Sequence, residues 1–187
     1  MLRFNMRRWG SVLVLLILAA LWLFPDWFGL SSGRPSRTVD GSTVIVRDGD
    51  TLTIGGQDYR LHGIDAPEYS QICKTAAGTD WPCGKEARTQ LIALLRNQTI
   101  TCEERARDKY GRIVATCLDD QKSDVARSMI ERGLAVSFGG FAEGPYAFEE
   151  AKAKAARRGL WQGAFDPPSS WRTTHPRTPA RTPIANR

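Results

Sequence analysis

The chain has 187 residues, a formal net charge of +6 at pH 7 and a sequence pI of about 9.4. The positive charge lies at the two ends: residues 1–37 carry +4 and residues 166–187 carry +3, which leaves residues 38–165 at −1. The basic pI therefore does not by itself indicate that the folded part binds a polyanion. Without its ends the chain keeps about 125 residues, enough for one domain with its own core.

The N-terminal segment predicts a membrane-associated helix. Residues 1–8 are basic, and residues 9–30 are mostly apolar, with aromatic side chains near their far end. Such a segment is typical of a signal peptide or of an uncleaved transmembrane anchor, and its length lies between the two. We expect an exported protein that is membrane-anchored with its domain on the extracytoplasmic side, or secreted if the segment is cleaved. Gly, Pro and Ser in residues 31–38 predict a linker.

The order of predicted elements indicates an α+β fold that is mainly β. Runs of β-forming residues bounded by turn signals predict five strands, at residues 42–47, 51–54, 58–64, 98–105 and 112–118. Apolar residues at helical spacing predict three helices, near residues 84–97, 123–133 and 145–159. This order fits a five-stranded oligonucleotide-binding (OB) barrel with three packed helices, preceded by the N-terminal hydrophobic helix. We assign residues 39–165 to this domain and the Pro-rich basic residues 166–187 to a disordered tail.

Four cysteines in an exported chain favour two disulfides over a zinc site. The sequence has no Cys-x-x-Cys pair, and its two histidines are far apart along the chain. Three pairings are open from the sequence. Cys102 and Cys117 flank a predicted hairpin turn at equal distance, which favours a bond between them and leaves Cys73 to pair with Cys83.

Three short motifs carry the residues suited to chemistry. They are Asp48-Gly49-Asp50-Thr51, the stretch from Arg60 to Asp65-Ala66-Pro67-Glu68, and Asp108-Lys109-Tyr110-Gly111-Arg112. Carboxylate and main-chain oxygens bind a hard cation such as calcium, and guanidinium groups bind phosphate oxygens in pairs. Taken singly, the Asp-Gly pair is an ordinary hairpin turn and each arginine an ordinary surface cation. Taken together, the three motifs predict phosphodiester hydrolysis.

The same motifs, in this order, resemble those of the staphylococcal nuclease (thermonuclease) family, over about residues 40–161. Ala66 stands where that family usually has threonine. The family's nucleotide-stacking aromatic has no evident counterpart around residues 137–140, where Phe138 and Phe141 are candidates. By position, the resemblance implies calcium ligands at Asp50, Asp65 and the Ala66 carbonyl, with Asp48 as a supporting carboxylate. It implies catalytic roles for Arg60, Glu68 and Arg112. It also implies that Lys109 and Tyr110 contact a terminal phosphate of the substrate.

We therefore expect a calcium-dependent, monomeric endonuclease that hydrolyses single-stranded or unpaired DNA and RNA with little sequence preference. The resemblance further implies cleavage that leaves 3′-phosphates. The alternative from another class is a non-catalytic OB-fold module tethered to the membrane, which would bind oligonucleotides without needing a metal. A third interpretation is an envelope protein whose carboxylates bind a stabilising ion. A calcium-titrated nuclease assay separates the three.

Overall fold

A computed structural model of the chain describes Val14 and residues 17–21, 34–138 and 144–176. The chain divides into two units, Met1–Arg34 and Pro35–Arg187. In the first unit Val14 and residues 17–21 are helical, and most of the helix predicted at residues 9–30 lies outside the described residues. No helix within the described part of the chain is both long enough and apolar enough to span a bilayer.

The second unit is built on a six-stranded sheet. Its strands and those of two smaller sheets are, in chain order, β1 (Ser36–Asp40), β2 (Ile45–Val46), β3 (Thr51–Ile54), β4 (Gln57–Leu61), β5 (Ile64–Asp65), β6 (Cys73–Lys74), β7 (Asp80–Trp81), β8 (Thr99–Arg107), β9 (Ile113–Leu118) and β10 (Val136–Ser137). The large sheet has the order β1-β8-β9-β4-β3-β2, and β5 pairs with β10 and β6 with β7. Every pair is antiparallel except β4 with β9, which is parallel.

The part of the chain described around the sheet contains four α-helices: α1 (Cys83–Leu95), α2 (Val125–Glu131), α3 (Ala147–Ala155) and α4 (Pro168–Thr174). Short 3-10 turns span Gly41–Thr43 and Gly159–Gln162. Leu91 of α1, Met129 of α2 and Leu52 of the sheet are fully buried in one apolar cluster. Burying side chains of this size typically contributes about 1.5–3 kcal/mol each, so packing of the helices on the sheet fixes the loops that carry the motifs.

The α+β class is confirmed, and all five predicted strands are present as β2, β3, β4, β8 and β9. The sheet has a sixth strand, β1, in residues that the sequence assigned mostly to the linker. Four of its five side chains are exposed, so no buried alternation marks it, and it is held by pairing with β8. The strands β1 and β2 form the two edges of the sheet, yet only residues 41–44 separate them, so the sheet curls back on itself.

Both disulfides favoured by the sequence are present. Cys102 and Cys117 lie directly opposite each other on β8 and β9. Cys73 of β6 is bonded to Cys83 at the start of α1, which ties the β6–β7 hairpin to that helix.

The helix α4 lies in residues that the sequence assigned to a disordered tail. It begins at Pro168, and proline is favoured in the first helical turn because its fixed φ suits a helix and its missing N–H is not needed there. The side chain of Pro168 is fully buried. Just before it, the Gln71 side-chain amide donates a hydrogen bond to the Asp166 carbonyl at 2.8 Å. Residues 166–176 therefore belong to the folded unit, and residues 177–187 lie outside the described residues.

Candidate active site

The centre of the site is Arg60, which holds two aspartates at once. Thr51 of β3 lies opposite Arg60 of β4, so Asp50, one residue before Thr51, comes next to the arginine. The Nη1 of Arg60 donates to Asp50 Oδ1 at 3.0 Å, and its Nη2 lies 3.0 Å from Asp50 Oδ2. The same Nη2 donates to Oδ1 of Asp65, the last residue of β5, at 2.7 Å. One guanidinium thus joins carboxylates from two separate motifs.

Burial destabilises the charged forms of the side chains in this cluster. Asp50 is 2% exposed and Asp65 is 3% exposed. Burial raises the pKa of Asp50 to about 7; the Arg60 charge opposes that rise, and Asp48 and Asp65 add to it. Burial also works against the charged form of Arg60, but the attraction of Asp50 and then Asp65 outweighs it and raises the pKa of Arg60. The carboxylates therefore crowd more negative charge together than Arg60 neutralises, and a further cation would stabilise them.

The first motif packs tightly against the second. The Ala66 N–H donates to Asp50 Oδ2 at 3.0 Å, and the Asp50 N–H donates to Asp48 Oδ1 at 3.2 Å. Between them, Gly49 is in close contact with its surroundings: a Cβ on Gly49 would lie 2.7 Å from the Cβ of Ala66 and 2.9 Å from that of Ala87. Glycine is needed here because of this close approach, which sets the position of the aspartate turn.

Glu68 is linked to Asp65 through a residue that the sequence analysis did not identify. The Nη1 of Arg172, on α4, donates to Asp65 Oδ1 at 3.0 Å and to Glu68 Oε1 at 3.3 Å. Its Nη2 donates to Asp65 Oδ2 at 2.9 Å. The Glu68 loop is also fixed by Gln71, whose backbone N–H donates to the Glu68 carbonyl at 2.8 Å and whose side-chain oxygen accepts from the Glu68 N–H at 3.3 Å.

Arg112 is held by a tight turn before β9. The Asp108 carboxylate accepts hydrogen bonds from the backbone N–H of Tyr110 at 2.9 Å and of Arg112 at 3.0 Å. Its other oxygen accepts from Arg112 Nε at 2.7 Å. These bonds lower the pKa of Asp108, although burial works against them, so the carboxylate stays charged as the anchor of the arginine. Because β4 and β9 run parallel in register, Arg112 comes beside the same strand that carries Arg60.

A cleft of about 980 Å³ is lined by residues from all three motifs, among them Asp48, Glu68 and Arg112. The lining residues from the sheet and its turns are polar, and those from the Glu68 loop and the C-terminal segment are largely apolar and aromatic. The lining residues are Arg47, Asp48, Thr51, Asp58, Glu68, Tyr69, Ser70, Ile72, Arg112, Asp166, Trp171, His175 and Pro176.

Lys109 and Tyr110 are outside the group of described residues that line the cleft. Both are exposed, Tyr110 by 73%. The Tyr110 ring lies 5.1 Å from the Lys109 ammonium and 5.7 Å from the Arg112 guanidinium. Tyr110 is thus connected to the cleft through Arg112 rather than forming its wall.

The donor atoms at the site fit calcium better than a softer metal. Asp50 and Asp65 supply carboxylate oxygens, and each has an oxygen within hydrogen-bonding distance of the same Arg60 nitrogen, so the two are close together. Ala66, next in sequence to Asp65, supplies a main-chain carbonyl. Hard divalent cations prefer such all-oxygen sets and complete them with water. Within the described residues, no group of three or more His, Cys, Asp or Glu forms a metal centre by side chains alone.

The structure thus places the predicted residues in two groups. Asp50, Arg60 and Asp65 are in direct contact, with Ala66 bonded to Asp50 and Glu68 linked through Arg172. Asp48, Glu68 and Arg112 line one cleft. The site residues that sequence reasoning missed are Gln71, Trp171, Arg172 and His175. For the three residues of the C-terminal segment the only sequence signal was Pro167-Pro168-Ser169, which also starts helices, and prolines in a basic tail were interpreted as disorder.

Comparison with known proteins agrees with this geometry. A family model described as "Staphylococcal nuclease homologue" matches residues 58–163. The chain belongs to the staphylococcal nuclease family. The matched residues include Arg60, Asp65, Glu68 and Arg112, whereas Arg172 and the rest of α4 lie beyond the match.

Relatives of the chain carry two kinds of name. The chain is 38% identical over 147 residues to "Succinoglycan biosynthesis protein ExoI" of Rhizobium meliloti, covering 78% of this chain and 73% of that protein. It is 35% identical to "Probable endonuclease LCL3" of Verticillium alfalfae, covering 60% of this chain and 40% of that protein. It is 32% identical to "Probable staphylococcal-like nuclease CAN2" of Oryza sativa subsp. japonica, covering 71% of this chain and 33% of that protein. The chain thus spans less than half of the two relatives named as nucleases, and these names support nuclease activity for the shared domain.

We predict that Arg60→Ala destabilises the fold strongly, because it leaves Asp50 and Asp65 buried without their shared counter-charge. The free energy of unfolding should fall by about 3–5 kcal/mol, as for other broken buried ion pairs, when measured by urea denaturation at neutral pH. The control is Arg47→Ala, which removes a half-exposed arginine paired with Asp58 at 3.2 Å and should cost less than about 1 kcal/mol. Equal, small losses in both variants would contradict the role given to Arg60.

Proposed function

We propose that the chain is a calcium-dependent phosphodiesterase that hydrolyses single-stranded or unpaired DNA and RNA with little sequence preference. The observation that carries the proposal is the contact of Arg60 with both Asp50 and Asp65, together with Glu68 and Arg112 on one cleft. The same residue types serve phosphodiester cleavage elsewhere, because the developing charge on phosphate oxygens is stabilised by cations and guanidinium groups. Membership of the nuclease family and the names of the two relatives called nucleases support the nuclease activity in this proposal.

The proposed division of labour follows from chemistry and position. Asp50, Asp65 and the Ala66 carbonyl would hold the calcium ion, with Asp48 supporting Asp50 through the turn. A calcium ion held by these oxygens would offer positive charge to a phosphate oxygen and would lower the pKa of a bound water. Arg60 and Arg112 bind the other phosphate oxygens and stabilise them as their negative charge grows.

Glu68 is the group we assign to the water. It lies in the cleft with Arg112, and its carboxylate can orient a water molecule and accept its proton. We assign to Lys109 and Tyr110, which are exposed near Arg112, contacts with a terminal phosphate of the substrate. The resemblance to the family favours products with 3′-phosphates.

The architecture and setting complete the proposal. We infer that β1 and β2 act as one interrupted strand, which would make the six-stranded sheet a five-stranded OB barrel. The two disulfides suit an oxidising compartment. An extracytoplasmic setting, with the N-terminal segment as membrane anchor or cleaved signal, would also provide calcium for a site of modest affinity. We propose a monomer.

Glu68→Gln tests the proposed chemistry. The full chain should hydrolyse single-stranded DNA with calcium and stop with a chelator, and Glu68→Gln should lower the rate by about 10²- to 10⁴-fold because glutamine cannot accept the proton. A gel assay of an end-labelled oligonucleotide measures this. Gln is close in size to Glu and keeps a hydrogen-bond acceptor, so folding should be preserved. A chain that binds the oligonucleotide without calcium and never cleaves it would instead be the non-catalytic OB-fold module.

Arg172→Ala should raise the affinity for calcium. Arg172 occupies both oxygens of Asp65 and one of Glu68, and it places a positive charge beside the proposed cation. Removing this partly exposed guanidinium should tighten calcium binding about tenfold, since the repulsion acts partly through solvent. Calorimetric titration with calcium measures the change. The matched control is Arg127→Ala, which removes an arginine that pairs with Glu149 and should leave the affinity unchanged; equal affinities for all three proteins would count against the assigned calcium site.

A further inference from the structure

The C-terminal helix α4 brings an aromatic pair to the cleft. Trp171 lies in α4 and His175 follows the last residue of the helix, four positions later, so the final turn brings the two rings to the same side. Their rings are stacked, with centroids 4.3 Å apart and planes 5° from parallel. Both residues line the cleft that contains Glu68 and Arg112. Trp171 is partly exposed and His175 is exposed, so the stack is accessible from the cleft.

The pair is fixed in place before any ligand arrives. The His175 backbone N–H donates to the Trp171 carbonyl at 3.0 Å, and the His175 ring nitrogen Nδ1 lies 2.9 Å from the Thr174 hydroxyl. The base of the helix is held by buried Pro168 and by the bond from Gln71 to Asp166, which does not depend on Arg172. A rigid aromatic surface loses little conformational entropy when it binds a planar group, so it binds that group more strongly.

The surroundings suit a strand of nucleic acid with its bases turned toward α4. Tyr69 and Ile72 also line the cleft and are about half exposed. The Lys85 ammonium lies 5.9 Å and the Arg88 guanidinium 5.7 Å from the Tyr69 ring. Arg112, next to β9 of the sheet, lines the same cleft. Aromatic faces with cationic side chains nearby are features by which proteins hold single-stranded nucleic acid, since every base offers a planar face.

We propose that Trp171, with His175 stacked on it, is a nucleobase-stacking subsite next to the phosphodiester cleft. The inference deepens the proposed function and rests on it for the identity of the ligand, a single-stranded oligonucleotide. The subsite lies outside residues 58–163, the part that matches the nuclease family. Of the two aromatics considered from the sequence, Phe138 is exposed but falls outside the described lining of the cleft, and Phe141 lies outside the described residues.

The test compares base-containing and abasic ligands. The full chain carrying Glu68→Gln, which should bind without cleaving, is titrated against a fluorescein-labelled oligothymidylate and against an abasic oligomer of equal length, with fluorescence anisotropy as the readout. Adding Trp171→Ala should weaken binding of the oligothymidylate about tenfold and leave the abasic oligomer unaffected, because only the bases can stack. Trp171→Phe keeps an aromatic ring and should retain most of the affinity.

The matched control is Phe148→Ala. Phe148 is an aromatic side chain on α3 that is 67% exposed, with the Lys152 ammonium 4.1 Å from its ring, and it is not among the described lining residues. Phe148→Ala should change neither the affinity for the oligothymidylate nor the affinity for the abasic oligomer. The proposal is overturned if Trp171→Ala weakens binding of both oligomers equally or of neither. It is also overturned if Trp171→Phe loses as much affinity for the oligothymidylate as Trp171→Ala does.

The outcomes also separate this inference from the proposed function. In chains that keep Glu68, Trp171→Ala should raise the KM for single-stranded DNA. If the unmodified chain cleaves DNA and Trp171→Ala cleaves it with the same KM, the stacking subsite fails and the nuclease remains. If the unmodified chain cleaves nothing while the base-dependent loss of binding is seen, the subsite stands and the proposed hydrolysis fails.

Discussion

The ion pairs of Arg60 with Asp50 and Asp65 are the interaction on which the rest of the site depends. The two aspartates belong to different turns, and without a shared positive charge their burial and mutual repulsion would push those turns apart. The sheet makes the pairing possible, since β3 and β4 fix Asp50 beside Arg60. Gly49 makes it compact, because any side chain there would meet Ala66. The fold thus holds acidic groups closer together than they would lie by themselves.

This arrangement leaves negative charge that Arg60 does not neutralise, and two kinds of positive group can balance it. Arg172 supplies a second guanidinium from a segment more than one hundred residues away along the chain. A divalent cation would supply more charge in less space and would leave the arginines to phosphate oxygens. The same cluster therefore accounts for the contact of the C-terminal helix with the site, and it is the reason why we propose a calcium-dependent phosphodiesterase. Docking of that helix in turn brings Trp171 to the cleft.

Most strands and the three motifs could be predicted from local sequence. The first strand and the C-terminal arginine could not, because they are defined by partners distant along the chain. The strands β3 and β9 have buried residues and clear turn signals, and the register of the hairpin that contains β9 follows from its cysteines. The strand β1 has almost no buried side chains, so only its hydrogen bonds to β8 define it. Arg172 has no local pattern to reveal it, because its role comes from partners distant in sequence.

The most direct test of this account is the number of calcium ions that the folded chain binds, measured by isothermal titration calorimetry. The account predicts one ion per chain for the unmodified protein and none for either Asp50→Asn or Asp65→Asn. These substitutions keep the size of the side chain and remove one charge each, and circular dichroism would verify that both variants are folded. Calcium binding to either folded variant with unchanged affinity, or no binding to the unmodified chain, would contradict the claim that Arg60 assembles these two carboxylates into a cation site.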